Sequence, residues 1–198
     1  LAELAALVDV AKSFGLPVHL DGARFANALV ALGCTAAEMT WKLGIDAVSF
    51  GGTKNGCMGV EAVVIFDKSK NQEFEYRRKR GAHLFSKHRY LAAQMQGYLQ
   101  DGLWLDLART ANERMARLAR GLGQIPGVTF STEPHANMLF PRLPRAMHRR
   151  LMAQGAYYYL YDGTLEDGPD EAPITCRLVC DWSVTDATID RFLSVARD

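Results

Sequence analysis

The chain has 198 residues, 48% of them apolar and 23% charged, with a net charge of +1. That is enough apolar material for one large or two small cores, and too little charge imbalance to draw the protein to nucleic acid or an anionic membrane surface. No apolar run approaches the roughly 20 residues that span a bilayer and no signal-peptide pattern is visible, so a membrane protein is not expected.

Residue 1 already sits in a helical pattern covering 1 to 14, with Leu1, Leu4, Val8 and Ala11 at helical spacing. A chain that begins inside a packed element is expected to be the C-terminal portion of a longer protein. Gly15 and Pro17 then lead into a strand at 18 to 20, with Asp21 following its carboxyl end. The pattern from 24 to 32 is mixed, and 35 to 43 reads as a helix opened by Thr35 with Glu38 at the capping-box spacing. Strands follow at 47 to 50 and 62 to 66, with a glycine-rich lysine loop between them. Short apolar strands separated by helices predict a mainly parallel α/β sheet, whose ligands gather at strand carboxyl ends.

From Glu73 to Arg89 the chain is dense in cations, which reads as a solvated helix face or as an anion contact centred on Lys87. Helices are predicted at 85 to 99 and 103 to 122, broken at Asp101 and Gly102. Beyond Gly127 the rhythm becomes α+β: strands at 128 to 130 and 138 to 140, a helix at 145 to 153, strands at 157 to 161 and 175 to 181, and a final helix at 186 to 196 capped by Thr185. Residues 162 to 173 form a polar surface connection.

The chemistry concentrates at two strand ends. Lys54, bracketed by Gly51, Gly52 and Gly56, lies in backbone that bends tightly and admits a planar ring. The order Thr53, Lys54, Asn55 does not fit a P-loop, and no G-x-G-x-x-G window occurs. A lysine amine forms imines, which is the chemistry of covalent catalysis on carbonyl compounds. Thr53 offers a hydroxyl and an amide to a phosphate, or simply stabilises the turn. Asp21 offers a carboxylate that keeps a pyridinium nitrogen protonated, or the first residue of an ordinary Asp-Gly turn. His19, two residues before it on the same strand face, either orients that carboxylate by a hydrogen bond or is a satisfied core histidine, and the second reading is preferred. Arg24 follows on the same loop, and Arg177 sits within the apolar run Thr175 to Cys180. A guanidinium there needs a carboxylate partner, either a structural one or a substrate's. The aromatic run Tyr157 to Tyr161 reads as strand packing. Cys34, Cys57, Cys176 and Cys180 fit neither a zinc spacing nor a disulfide framework, so reduced thiols in a cytoplasmic protein without a metal site are expected.

The stretches from His19 to Ala28, Trp41 with Lys42, Ser49 to Gly56, Arg78 to Gly81, Phe85 to Lys87, and Arg177 to Cys180 together resemble the low-specificity L-threonine aldolases, in the β-eliminating lyase and threonine aldolase branch of the aspartate-aminotransferase-type superfamily. The resemblance implies the C-terminal part of a pyridoxal-phosphate-binding large domain over 1 to 97 and a small α+β domain over 98 to 198. It implies a carbon–carbon lyase that cleaves L-threonine and L-allo-threonine to glycine and an aldehyde. Lys54 would then carry pyridoxal 5'-phosphate as a Schiff base, with Asp21, Arg24 and Thr53 around the cofactor and Arg24 and Arg177 toward the substrate carboxylate. It also implies a homodimer or homotetramer, with the main phosphate loop, a ring-stacking histidine and the β-hydroxyl base in a half of the protein not contained in these residues. The alternatives are a β-eliminating lyase or aminotransferase on the same scaffold, and a non-catalytic piece serving subunit association.

Overall fold

A computed structural model describes residues 1–198, and it divides into two compact units, Leu1–Leu107 and Ala108–Asp198. The division falls later than the expected change at 97, inside a long helix rather than before it.

The first unit opens with α1 (Ala2–Ser13), followed by β1 (His19–Gly22), α2 (Phe25–Leu32), β2 (Ala47–Gly51), β3 (Glu61–Ile65), α3 (Asn71–Arg80) and α4 (Arg89–Leu99). The helix α5 (Leu103–Leu122) runs from this unit into the next. The strands form one sheet in the order β1, β2, β3. β1 and β2 are parallel because α2 and the turns after it carry the chain back across the sheet, whereas the short lysine loop returns the chain directly and leaves β3 antiparallel to β2.

Strand alternation sorts this sheet into two chemically different faces. Leu20, Val48 and Phe50 point to a core built on Val8, Phe25, Leu29, Met39 and Ile45. His19, Asp21, Ser49, Gly51 and Glu61 belong to the opposite face, in a register that pairs Asp21 with Ser49 and Gly51 with Glu61. Two interactions fix how helices meet these strands. The Lys12 ammonium lies 2.6 Å from the Asp46 carboxylate, which also accepts the Val18 amide at 2.7 Å, so the end of α1 is tied to the start of β1. Gly33, with φ of 62°, closes α2 by donating its amide to Leu29.

The expected helix over 35 to 43 is not α-helical: the segment is a series of turns ending in a 3-10 turn at Trp41–Leu43. Its capping box is nevertheless made, with the Thr35 amide donating to Glu38 at 2.9 Å and the Glu38 amide to Thr35 Oγ1 at 3.3 Å. A capping box satisfies local donors and does not by itself propagate a helix.

The second unit contains β4 (Thr129–Phe130), β5 (Met138–Leu139), β6 (Pro141–Pro144), α6 (Arg145–Ala153), β7 (Tyr159–Leu160), β8 (Pro173–Val179) and α7 (Asp186–Arg197). Every strand pairing here is antiparallel and β8 is the hub, pairing β5, β6 and β7. The C-terminal turns of α5 lay Met115, Leu118 and Leu122 into a core shared with Leu143, Leu151 and Leu193. Thr185 caps α7 as expected, its Oγ1 accepting the Thr188 amide at 3.2 Å.

Candidate active site

The carboxyl ends of β1 and β2 are adjacent in a parallel pair, and two glycines let them touch. A Cβ on Gly22 would lie 2.5 Å from the Ser49 carbonyl oxygen, and one on Gly51 would lie 2.6 Å from the Ala23 carbonyl oxygen and 2.9 Å from its Cα. The turn that follows Asp21 therefore passes directly over the backbone that leads to Lys54. Both approaches are open only to a residue without a side chain.

Asp21 occupies the third position of β1, within the strand rather than after it, and is exposed on the polar face. Its Oδ1 accepts the Ala23 amide at 3.0 Å, which turns the chain toward Gly51. His19 is also exposed, with Nε2 2.8 Å from Ser49 Oγ. It is thus not a core histidine: the alternation that sends Leu20 inward sends His19 out, beside Asp21. Arg24 is the half-buried residue just before α2.

Lys54 is exposed in the middle of a 3-10 turn, Thr53–Asn55. The turn is held on one side by Glu61, whose carboxylate accepts the Gly52 amide at 3.2 Å and the Thr53 amide at 3.3 Å. Thr53 Oγ1 donates to the Val60 carbonyl at 3.3 Å, so both the hydroxyl proton and the amide of Thr53 serve the loop. On the other side Asn55 is buried, and its Nδ2 donates to Tyr98 Oη at 2.6 Å and to the Trp104 carbonyl at 2.8 Å. Glu61, Asn55 and Tyr98 were not singled out by sequence reasoning. Asn55 adjoins the lysine, a weak local sign, but nothing in the primary pattern links it to Tyr98.

In the second unit Arg177 lies on β8, cross-strand from Tyr159, with its guanidinium carbon 5.5 Å from the Tyr159 ring centroid. It lines an open cavity of about 370 Å³ with Tyr157, Tyr158 and Phe192. The aromatic run divides by alternation: Tyr158 packs against the core, while Tyr157 and Tyr159 are exposed. Behind it, His148 is buried, with Nδ1 2.9 Å from Tyr158 Oη and Nε2 3.0 Å from the Ile174 carbonyl. Burial pushes the His148 imidazole below its usual value, and pushes the Tyr158 phenol up. Lys87, the first cation of interest in the basic stretch, is exposed with φ of 65° just before α4.

An α/β unit with an imine-competent lysine and a carboxylate on neighbouring strand ends defines a class, and comparison with known proteins makes it specific. Residues 1–143 match the model of the beta-eliminating lyase family, and the chain belongs to that family. It is 40% identical over 196 residues to the low specificity L-threonine aldolase of Pseudomonas aeruginosa, covering 99% of this chain and 53% of that protein. A second protein of that description, from another Pseudomonas strain, is 38% identical over 187 residues, covering 94% of this chain and 51% of its own. The solved structure of Leishmania major threonine aldolase superposes with a TM-score of 0.86 at 25% identity, over 98% of this chain and 55% of that one. The chain spans about half the length of the curated relatives it matches. No helix is long and apolar enough to cross a membrane.

Proposed function

We propose that the protein bearing this chain is a pyridoxal-phosphate-dependent aldehyde lyase that cleaves L-threonine and L-allo-threonine to glycine and an aldehyde, with Lys54 as the lysine that binds the cofactor. The observation that carries this reading is the packing of Ala23, two residues after Asp21, on Gly51, three residues before Lys54, which joins the backbone carrying a carboxylate to that carrying an amine at the carboxyl ends of two neighbouring parallel strands. The names of the Pseudomonas relatives supply the substrate class.

The residues present fit the cofactor by the chemistry of the donor set: an exposed lysine amine and an exposed carboxylate near the carboxyl ends of two paired parallel strands. When bound, pyridoxal phosphate supplies a protonated pyridine ring that withdraws electrons from the substrate's α-carbon as its bond to the β-carbon breaks. The chain's own residues then have distinct tasks. Asp21 would hold a proton on the ring nitrogen through its carboxylate. His19 and Ser49, hydrogen-bonded to each other, stand beside that carboxylate on the same sheet face. Lys54 would hold the cofactor through its Nζ and, as a free amine, would hold or return a proton at that atom. Thr53 would serve a cofactor oxygen only by turning its hydroxyl proton away from the Val60 carbonyl, to which it donates here. Arg24 and Arg177 are assigned to carboxylate recognition because a guanidinium pairs with a carboxylate through two parallel hydrogen bonds.

The family description favours one second reading, β-elimination. Product analysis of the purified natural protein with L-threonine separates the two. Glycine and acetaldehyde in equal amounts are expected, with turnover abolished in Lys54→Ala; ammonia and a keto acid would replace the aldolase reading. A cytoplasmic homo-oligomer is part of the same proposal, the reducing compartment supported by the four free thiols.

A further inference from the structure

We infer that Asn55 and Tyr98 are positioning residues for Lys54, forming a buried clasp that fixes the lysine loop to the aromatic core beneath it. The inference rests on the proposed role of Lys54 and adds how that side chain is aimed. Phe50, at the entry to the loop, is held by three rings: edge-on by Phe25 and Trp104 at 5.6 Å each, and tilted against Tyr98 at 6.0 Å. The Tyr98 hydroxyl then spans the loop. It accepts from Asn55 Nδ2 at 2.6 Å on the far side of Lys54, and its own proton faces the Gly51 carbonyl on the near side at 3.5 Å.

The first contact is short and the second long, so Asn55 is the stronger arm of the clasp. The second proton of the Asn55 amide goes to the Trp104 carbonyl at 2.8 Å, which fixes the Asn55 side chain from two directions. Both residues are almost fully buried, at 2% and 4% exposure, whereas Lys54 between the clasp points is exposed. An exposed cation is thus mounted on a buried base. Burial raises the Tyr98 phenol, which keeps its proton available to Gly51 across the working pH range. Glu61 secures the loop's other flank through the Gly52 and Thr53 amides, so loss of the clasp would leave the loop attached but able to swing.

The test uses the natural protein loaded with pyridoxal phosphate and its Tyr98→Phe variant, which keeps the ring against Phe50 and removes only the hydroxyl. Asn55→Ala serves as a second variant should the first fail to fold. Positioning predicts that kcat for L-threonine falls about tenfold while KM stays within about twofold, as for an interaction that matters in the transition state. It also predicts that the pH midpoint of the cofactor's visible absorbance shifts, because the Lys54 nitrogen sits in altered geometry. A variant with wild-type kcat and a wild-type spectral midpoint, whatever its melting temperature, overturns the clasp. A natural protein whose absorbance is unchanged by Lys54→Ala overturns the cofactor assignment, and the clasp with it.

Discussion

Gly22 and Gly51 carry no side chain, yet they set the geometry on which the site depends. Each lets one strand end approach the other's backbone to a distance that a methyl group would forbid. Around them the roles of single residues follow from strand alternation: Leu20 and Val48 go inward, Asp21, His19 and Ser49 outward. The four cysteines sort by environment in the same way. Burial pushes the Cys176 thiol up to about 12 and the Cys180 thiol up to about 11, while Cys34 and Cys57 are half-buried. Because the thiolate is the nucleophile, iodoacetamide at pH 8 is expected to label Cys34 and Cys57 in the native protein and to reach Cys176 and Cys180 only after denaturation. Peptide mass mapping of the two samples checks this, and native labelling of Cys176 would contradict its place in the core. Lys54, Asp21 and Arg177 stand out in the sequence because each is a reactive residue type in a glycine-rich or apolar setting. Asn55, Tyr98 and Glu61 do not, since their roles depend on contacts between residues far apart in sequence or across a strand pair. His19 was misread because its strand was placed without deciding which face is polar.

At the scale of elements, the outcome divides by how local the determinants are. The long amphipathic pattern of α5 and the pattern of α6 marked those helices well, because helical periodicity repeats over several turns. The segment after Thr35 looked like a helix start and is not one: its cap is satisfied, but nothing downstream sustains a helix. β6 was missed because its residues Pro141, Arg142, Leu143 and Pro144 have weak strand propensity. It is a strand through its pairing with β4 and β8, a property of tertiary context. The junction of β1 with β2 gives the element-scale prediction. Gly51→Ala would drive a methyl group into the Ala23 backbone, which cannot yield as a flexible side chain would. Overpacking of this kind is expected to cost about 1–3 kcal/mol in chemical denaturation and to lower cofactor affinity together with stability. Gly59→Ala, where a Cβ meets no neighbouring atom, is the matched control and should bind cofactor like the natural protein.

For the whole molecule, buried ionisable groups determine how stability responds to pH. His148 is fully buried and its imidazole lies below the ordinary value of 6.5, chiefly through desolvation. The unfolded chain therefore takes up a proton at a pH where the folded chain does not. This stabilising contribution is complete above about pH 6.5 and is lost as pH falls from there toward the lowered folded value. Asp46 adds a second, more acidic window: its bond to Lys12, and then the Val18 amide, hold its carboxyl below the usual range. That contribution is present above the unfolded carboxylate range and disappears as pH falls through the folded value. Melting temperature is thus expected to fall between pH 7 and pH 5, ahead of carboxylate protonation, and a flat profile there would contradict the burial of a neutral His148. The antiparallel character of the second unit and the mixed sheet of the first were only partly legible, because strand direction depends on how connections travel and not on strand composition.

The central claim is that Lys54 is the residue to which the cofactor bonds. Borohydride reduction of the natural protein loaded with pyridoxal phosphate, followed by peptide mass mapping, tests it directly. The account predicts a stable pyridoxyl adduct on the peptide carrying Lys54, absent in Lys54→Ala. An adduct on another lysine, or none at all, would contradict it.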